Sequence, residues 1–279
     1  MDKRILIPTD FSKNALNAAR YAVDLYAKLN CEFYFLNVFR LDGYTTDTLI
    51  VPEPGSAPYE TAKVASEKGL VKLLDMLELH HDNPKHTYHT ISTFSFLSEA
   101  VKQTIANKDI DLVIMGTKGA SGSKGVIFGS NTVNTMEKVT ECPVLAVPAD
   151  VQFSPLKEVV FPTNYKSVYK RKKMKCLIEI AKMHQSAIRF LNVNKNPELT
   201  TAQESNRQLL EDIMETVTHS DHSLSKKNVA ESLTAFVASR ESDMIAFINK
   251  KHFFFSSVFS SPLIKEIGYD ATVPILALP

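Results

Sequence analysis

A chain of 279 residues is long for one compact domain and comfortable for two, each able to bury an ordinary core. Its 44% hydrophobic and 23% charged residues suit a soluble globular protein, and a net charge of +1 gives no strong pull toward nucleic acid or an anionic membrane. The opening MDKRILIPTDFSKN has no signal-peptide run, no segment reaches the ~18 apolar residues of a membrane span, and Cys31, Cys142 and Cys176 are too few and scattered for a disulfide framework, which points to a reducing, cytoplasmic setting.

In chain order, Arg4–Pro8 is a short apolar run of the kind buried on both faces of a sheet. Asn14–Leu29 carries apolar residues at helical spacing, and Glu32–Val38 reads as a strand. Arg40–Tyr59 is a long connection with three prolines and two glycines, either a functional lid or a mobile loop. Glu60–Leu79 is a helix striped by Val64, Leu70, Leu73, Leu74 and Leu77. Thr87–Thr93 alternates like a strand. A helix over Leu97–Asn107, a buried strand over Leu112–Gly116, a helix over Ser130–Thr140 and a strand over Val144–Val147 complete a βαβαβαβαβ pattern. That pattern predicts a mainly parallel sheet covered by helices on both faces.

The chain then repeats itself. Pro8-Thr9-Asp10 returns as Pro162-Thr163-Asn164, Phe35–Val38 as Phe190–Val193, and the closing CPVLAVP as VPILALP. Strands are predicted at Glu158–Pro162, Ala187–Val193, weakly at Thr216–Ser223, and at Met244–Ile248 and Ile275–Leu278, with helices between. The reading is two tandem open-sheet domains, residues 1–149 and 156–279, joined by a short linker and packed together.

Five of the nine glycines fall between Gly116 and Gly129, in MGTKGASGSKGVIFGSNT. Ligands of open parallel sheets bind beyond the carboxyl ends of strands, where strand order reverses. If the strands ending at Asp10 and Gly116 are neighbours, both face one crevice. Gly129-Ser130 begins the next helix, whose free amides and dipole suit a phosphate, with Ser130, Asn131 and Thr132 as polar donors. The segment is neither a Walker loop nor a Gly-x-Gly-x-x-Gly site, and the alternative is a mobile surface loop.

The spacing Gly116-x2-Gly119-x9-Gly129-Ser130, with RILIPTDFS, DLVIMGTKG and CPVLAVP in order around it, resembles the nucleotide-binding universal stress proteins, and the whole chain looks like a tandem member. The resemblance implies a Rossmann-like, adenine nucleotide alpha hydrolase-like fold in each half. It implies ATP, with Mg²⁺ as a possible companion. Asp10 and Thr9 would lie at the adenosine, and Val38 would meet the adenine through its backbone. Gly116 and Gly119 would leave room for ribose and phosphates, and Gly129, Ser130, Asn131 and Thr132 would hold the phosphates. Members pair through their last strands, so Val144–Val147 and Ile275–Leu278 would pair within the chain as an intramolecular pseudo-dimer; further homodimerisation stays open.

The second half departs from this pattern. Asn164 replaces Asp10, and INKKHFFFSSVFSS, Ile248–Ser261, contains no glycine. Phe253, Phe254 and Phe255 would either pack over the vacant pocket or present a partner surface. This half is expected to bind no ATP. His80, His81, His86 and His89 lack a ligand spacing and read as a solvated turn, so no metal site is assigned. The basic run Tyr169–Lys175 reads as a solvated face of the second half's first helix, and the cysteines as core. No Ser-His-Asp or Cys-His arrangement is evident, so Asp10 and the loop would support at most slow ATP hydrolysis. The resulting expectation is an ATP-binding stress-response regulator with an unidentified protein partner. The alternatives are an interaction scaffold without nucleotide and a slow ATP hydrolase.

Overall fold

A computed structural model of the chain describes residues 2–40, 54–117, 129–194, 198–225, 228–249 and 272–279. The strands are β1 (Lys3–Pro8), β2 (Cys31–Phe39), β3 (His86–Phe94), β4 (Leu112–Gly116), β5 (Val144–Val147), β6 (Glu158–Pro162), β7 (Ala187–Val193), β8 (His219–Leu224), β9 (Met244–Ile248) and β10 (Ile275–Leu278). The helices are α1 (Lys13–Leu25), α2 (Ala57–Glu78), α3 (Leu97–Lys108), α4 (Ser130–Lys138), α5 (Arg171–His184), α6 (Thr201–Ile213) and α7 (Val229–Arg240).

The strands form one ten-stranded sheet in the order β3-β2-β1-β4-β5-β10-β9-β6-β7-β8. Each half therefore carries the same strand order, read outward from the middle. All neighbours are parallel except β5 and β10, which run antiparallel with Leu145 opposite Leu276. The two final strands thus pair within the chain, as anticipated. Helices cover both faces. Ala18, Ala22, Leu73, Leu177 and Leu210, from α1, α2, α5 and α6, belong to one buried layer. Val101, Met136, Leu233 and Val237, from α3, α4 and α7, belong to the other. Each layer runs across both halves, so hydrophobic burial holds them together as well as the β5–β10 ladder does.

The repeat extends to individual hydrogen bonds. Thr9 N–H donates to Leu36 O at 2.8 Å, and Thr163 N–H to Leu191 O at 2.9 Å. Phe11 and Tyr165 both adopt left-handed backbone, with φ of 61° and 54°. Their N–H groups donate to Thr9 Oγ1 and Thr163 Oγ1 at 3.1 and 3.0 Å. Asp111 and Asp243 each accept from the strand backbone, at Arg4 N–H (3.0 Å) and Glu158 N–H (2.9 Å).

Some boundaries differ from expectation. α1 ends at Leu25 rather than Leu29, because the next N–H groups turn back only three residues, Ala27 to Asp24 O and Leu29 to Tyr26 O. α5 starts at Arg171, so Tyr169 precedes it; its hydroxyl is hydrogen-bonded to Thr163 and its ring packs near Phe161. β8 starts at His219 because Val217 N–H turns back to Met214 O.

Candidate functional site

The reversal in strand order falls between β1 and β4, which pair through Ile5–Leu112 and Leu6–Val113. Their carboxyl ends, with those of β2 and the starts of α3 and α4, enclose a cavity of about 190 Å³. Thr9, Asp10, Val38, Gly116, Asn131 and Thr132, all named from sequence, line it. Gly119 lies outside the described residues, as do Gly122 and Gly125. Gly129 and Ser130 sit at the start of α4 without lining the cavity.

Local bonds fix this lining. Asn37 Nδ2 donates to Thr9 O at 2.7 Å, and Asp10 Oδ1 accepts Ser12 N–H at 3.1 Å, so the Asp10 side chain shapes the turn at whose end Ser12 caps α1. Gly129 N–H donates to Thr117 O at 2.7 Å, bringing Thr117 and Gly129 together. Thr132 donates its hydroxyl to Gly116 O at 2.8 Å and so braces the end of β4. Among the described residues no side chain caps the first amides of α4, whose dipole places positive potential at Asn131.

The two glycines here serve different ends. A Cβ on Gly116 would lie 3.0 Å from Asn14 O, so this glycine admits the start of α1 against β4. Gly129 has φ −68° and ψ 153°, a conformation open to any residue, so the backbone angle does not demand glycine there.

Pro8, Ala15, Arg40, Leu97 and Met115 complete the lining and were missed from sequence. Arg40 lies two residues past Val38 and its guanidinium sits 4.5 Å from the Phe96 ring centroid. Its position just beyond the carboxyl end of β2 was the available signal. The cavity therefore combines apolar walls (Val38, Leu97, Met115) with a carboxylate, a guanidinium and a helix N-terminus. Such a set can hold a flat apolar group at one end and an anion at the other.

Other candidate groups are engaged elsewhere. His80 meets Asp24 at 2.9 Å, His86 meets Tyr26 O at 3.2 Å, and His89 meets Glu32 at 3.3 Å, so these side chains diverge. Among the described residues no three His, Cys, Asp or Glu side chains are grouped to hold a metal. Cys31, Cys142 and Cys176 are buried, and burial pushes each thiol up to about 12. Among the described residues no helix is long and apolar enough to cross a membrane.

In the second half Asn164 occupies the place of Asp10, and its Oδ1 accepts Lys166 N–H at 3.0 Å. The turn survives without the charge. Thr163, the counterpart of Thr9, is engaged by the buried Tyr169 hydroxyl. Asn249 Nδ2 donates across to Met136 O at the end of β9. The segment holding Phe253–Phe255 lies outside the described residues.

The sequence profile of the universal stress protein family matches residues 1–148. The chain belongs to that family. It is 28% identical over 147 residues to a universal stress protein of Methanocaldococcus jannaschii, covering 52% of this chain and 81% of the relative. A solved universal stress protein from Archaeoglobus fulgidus aligns with 98% of this chain and 95% of its own, with a TM-score of 0.71 and 16% identity. A second solved structure, from Pseudomonas aeruginosa, aligns with 99% of this chain and 93% of its own, with a TM-score of 0.58 and 10% identity. At these identities the two structures speak for the fold, and they do so across both halves of this universal stress protein.

Proposed function

We propose that this universal stress protein binds an adenine nucleotide, ATP, in the cavity between β1 and β4, and acts as a nucleotide-dependent stress-response regulator. The observation that carries the reading is the convergence of Asp10, Val38, Gly116, Asn131 and Thr132 from separate segments onto one cavity at the strand-order reversal. The adenosine end lies against Val38, Leu97 and Asp10. The phosphates lie toward Gly129, Ser130 and Asn131 at the start of α4, with Arg40 as the cation in reach. Thr132 acts through Gly116, because its hydroxyl proton is committed there. The cavity volume is below the ~300–1,000 Å³ that encloses whole ligands, so the described lining suits one end of a nucleotide, with Gly119 contributing at the other. A divalent ion such as Mg²⁺ would accompany the phosphates and offset their charge.

We further propose that residues 1–149 and 156–279 are two domains of this family and that the second has lost the nucleotide. Asn164 lacks the charge of Asp10, and Tyr169 occupies the hydroxyl of Thr163. Among the described residues the lining offers no paired base and nucleophile, so the reading is binding rather than fast turnover. Equilibrium dialysis of ATP and GTP tests it. ATP binds in preference to GTP, and Arg40→Ala and Asp10→Ala each weaken ATP about tenfold through lost charged hydrogen bonds. Equal retention of both nucleotides by all three proteins would overturn it.

A further inference from the structure

Arg40 follows β2 directly, is exposed, and lines the nucleotide crevice. A free arginine loses rotamer freedom when a ligand fixes it, so an arginine that is already held binds more tightly. Here the Phe96 ring meets it, with the guanidinium carbon 4.5 Å from the ring centroid. Among the described residues no carboxylate pairs with Arg40, and the ring is the contact that holds it. Phe96 itself does not line the cavity.

The ring is fixed in turn. Phe39 and Phe94 are register partners at the ends of β2 and β3, so Arg40 and Phe96 leave neighbouring strands. Phe96 is the N-cap of α3, and its carbonyl accepts Glu99 and Ala100 N–H at 3.1 and 3.0 Å. Val101 and Ile105 bury the helix against the sheet. The ring is therefore carried by a packed helix.

Phenylalanine is a poor cap, because it offers the first amides of the helix no acceptor. The second half shows what the position otherwise holds. α3 and α7 are 12 residues each and end alike in left-handed caps, Asp109 and Glu241, just before the matching Asp111 and Asp243. Asn228 therefore stands in the place of Phe96, and its Oδ1 accepts Glu231 N–H at 3.1 Å. The half with Asn164 in place of Asp10 has a capping side chain there. The half with Asp10 has a ring against an arginine instead, a local choice that helix formation does not favour.

We propose that Phe96 is a positioning residue of the nucleotide site: its ring holds the Arg40 guanidinium in the crevice, where it meets the phosphate chain, and so favours ATP over adenosine. This rests on the nucleotide reading above. The test is calorimetric titration of ATP and of adenosine into the full chain and its Phe96→Asn, Phe96→Tyr, Arg40→Ala and Phe96→Asn/Arg40→Ala variants. Asparagine supplies the cap found at Asn228, so the helix start is kept. Phe96→Leu, which keeps an apolar side chain without the ring, takes its place if urea unfolding shows that Phe96→Asn folds poorly. Phe96→Asn is expected to weaken ATP about three- to fivefold, the scale of an exposed cation–π contact, and adenosine by less than about twofold. Phe96→Tyr restores a ring and recovers the affinity. In the Arg40→Ala background Phe96→Asn has no further effect, because its partner is gone. A loss that persists in that background, an equal loss for adenosine, or no loss in Phe96→Asn would overturn the assignment and leave the nucleotide site standing. No ATP bound by the intact protein would overturn both.

Discussion

Replacing Glu158 by glutamine should destabilise the protein sharply near neutral pH and hardly at all in acid. Glu158 opens β6 and is 8% exposed. Its carboxylate accepts Arg240 Nε and Nη2 at 2.7 Å each, Arg189 Nε at 2.6 Å and Ser242 Oγ at 2.8 Å. Burial alone would raise its pKa, but the hydrogen bonds from Arg240, Arg189 and Ser242 outweigh that and hold it at about 2, against an ordinary 4.5. At about 1.4 kcal/mol per pKa unit the difference corresponds to about 3 kcal/mol, which solvent near the two arginines trims to about 2 kcal/mol. Because the folded pKa lies below the unfolded one, this stabilisation is complete above pH 4.5 and disappears as pH falls toward 2. Glutamine keeps one acceptor but aims an amide N–H₂ at a guanidinium, leaving charges unpaired, so a loss of about 3 kcal/mol is expected at pH 7. Urea unfolding of both proteins at pH 7, 5 and 3 measures it, with the gap between them closing over the acid window. A difference under about 0.5 kcal/mol at pH 7, or a constant gap down to pH 3, would refute the reasoning.

Four further outcomes follow from other contacts. Gly116→Ala places a methyl 3.0 Å from Asn14 O and should cost about 1–3 kcal/mol in chemical denaturation. Asn17 Nδ2 donates to Pro148 O and Val151 O at 3.2 and 2.8 Å, so Asn17→Leu should cost about 1–3 kcal/mol in the same assay by orphaning linker carbonyls. Leu145 and Leu276 face each other in the β5–β10 ladder and are fully buried, so Leu276→Asp should cost more than about 4 kcal/mol, or yield no cooperative thermal transition. Cys31, Cys142 and Cys176 should resist a thiol reagent at pH 8 in the native protein and all react in urea, because burial holds each thiol up at about 12.

Strands buried on both faces were the most legible part of the fold. Leu112–Gly116, Val144–Val147, Met244–Ile248 and Ile275–Leu278 are continuous apolar runs, and their ends fall where the apolar residues stop. β8 is an edge strand reading His-Ser-Asp-His-Ser-Leu, with little apolar signal, and its start was misplaced by three residues. The start of α5 was missed because one tertiary bond, from Tyr169 to Thr163, withholds Tyr169 from the helix. The cavity lining was half visible, because Asp10, Gly116 and Asn131 belong to local motifs. Arg40 carries no motif and joins the others only through folding. The Glu158 cluster was invisible for the same reason: Arg189 and Arg240 lie 31 and 82 residues away along the chain.

The central claim is one nucleotide site per chain, in the first half. Calorimetric titration of ATP with Mg²⁺ into the intact protein and into Gly129→Val tests it most directly, because valine suits the backbone angles at 129 and brings only bulk to the start of α4. The account predicts one ATP per chain, lost in the variant, with its unfolding transition shifted by no more than about 1–2 kcal/mol. Two ATP per chain would contradict the loss of the second site, and no ATP bound to the intact protein would contradict the account as a whole.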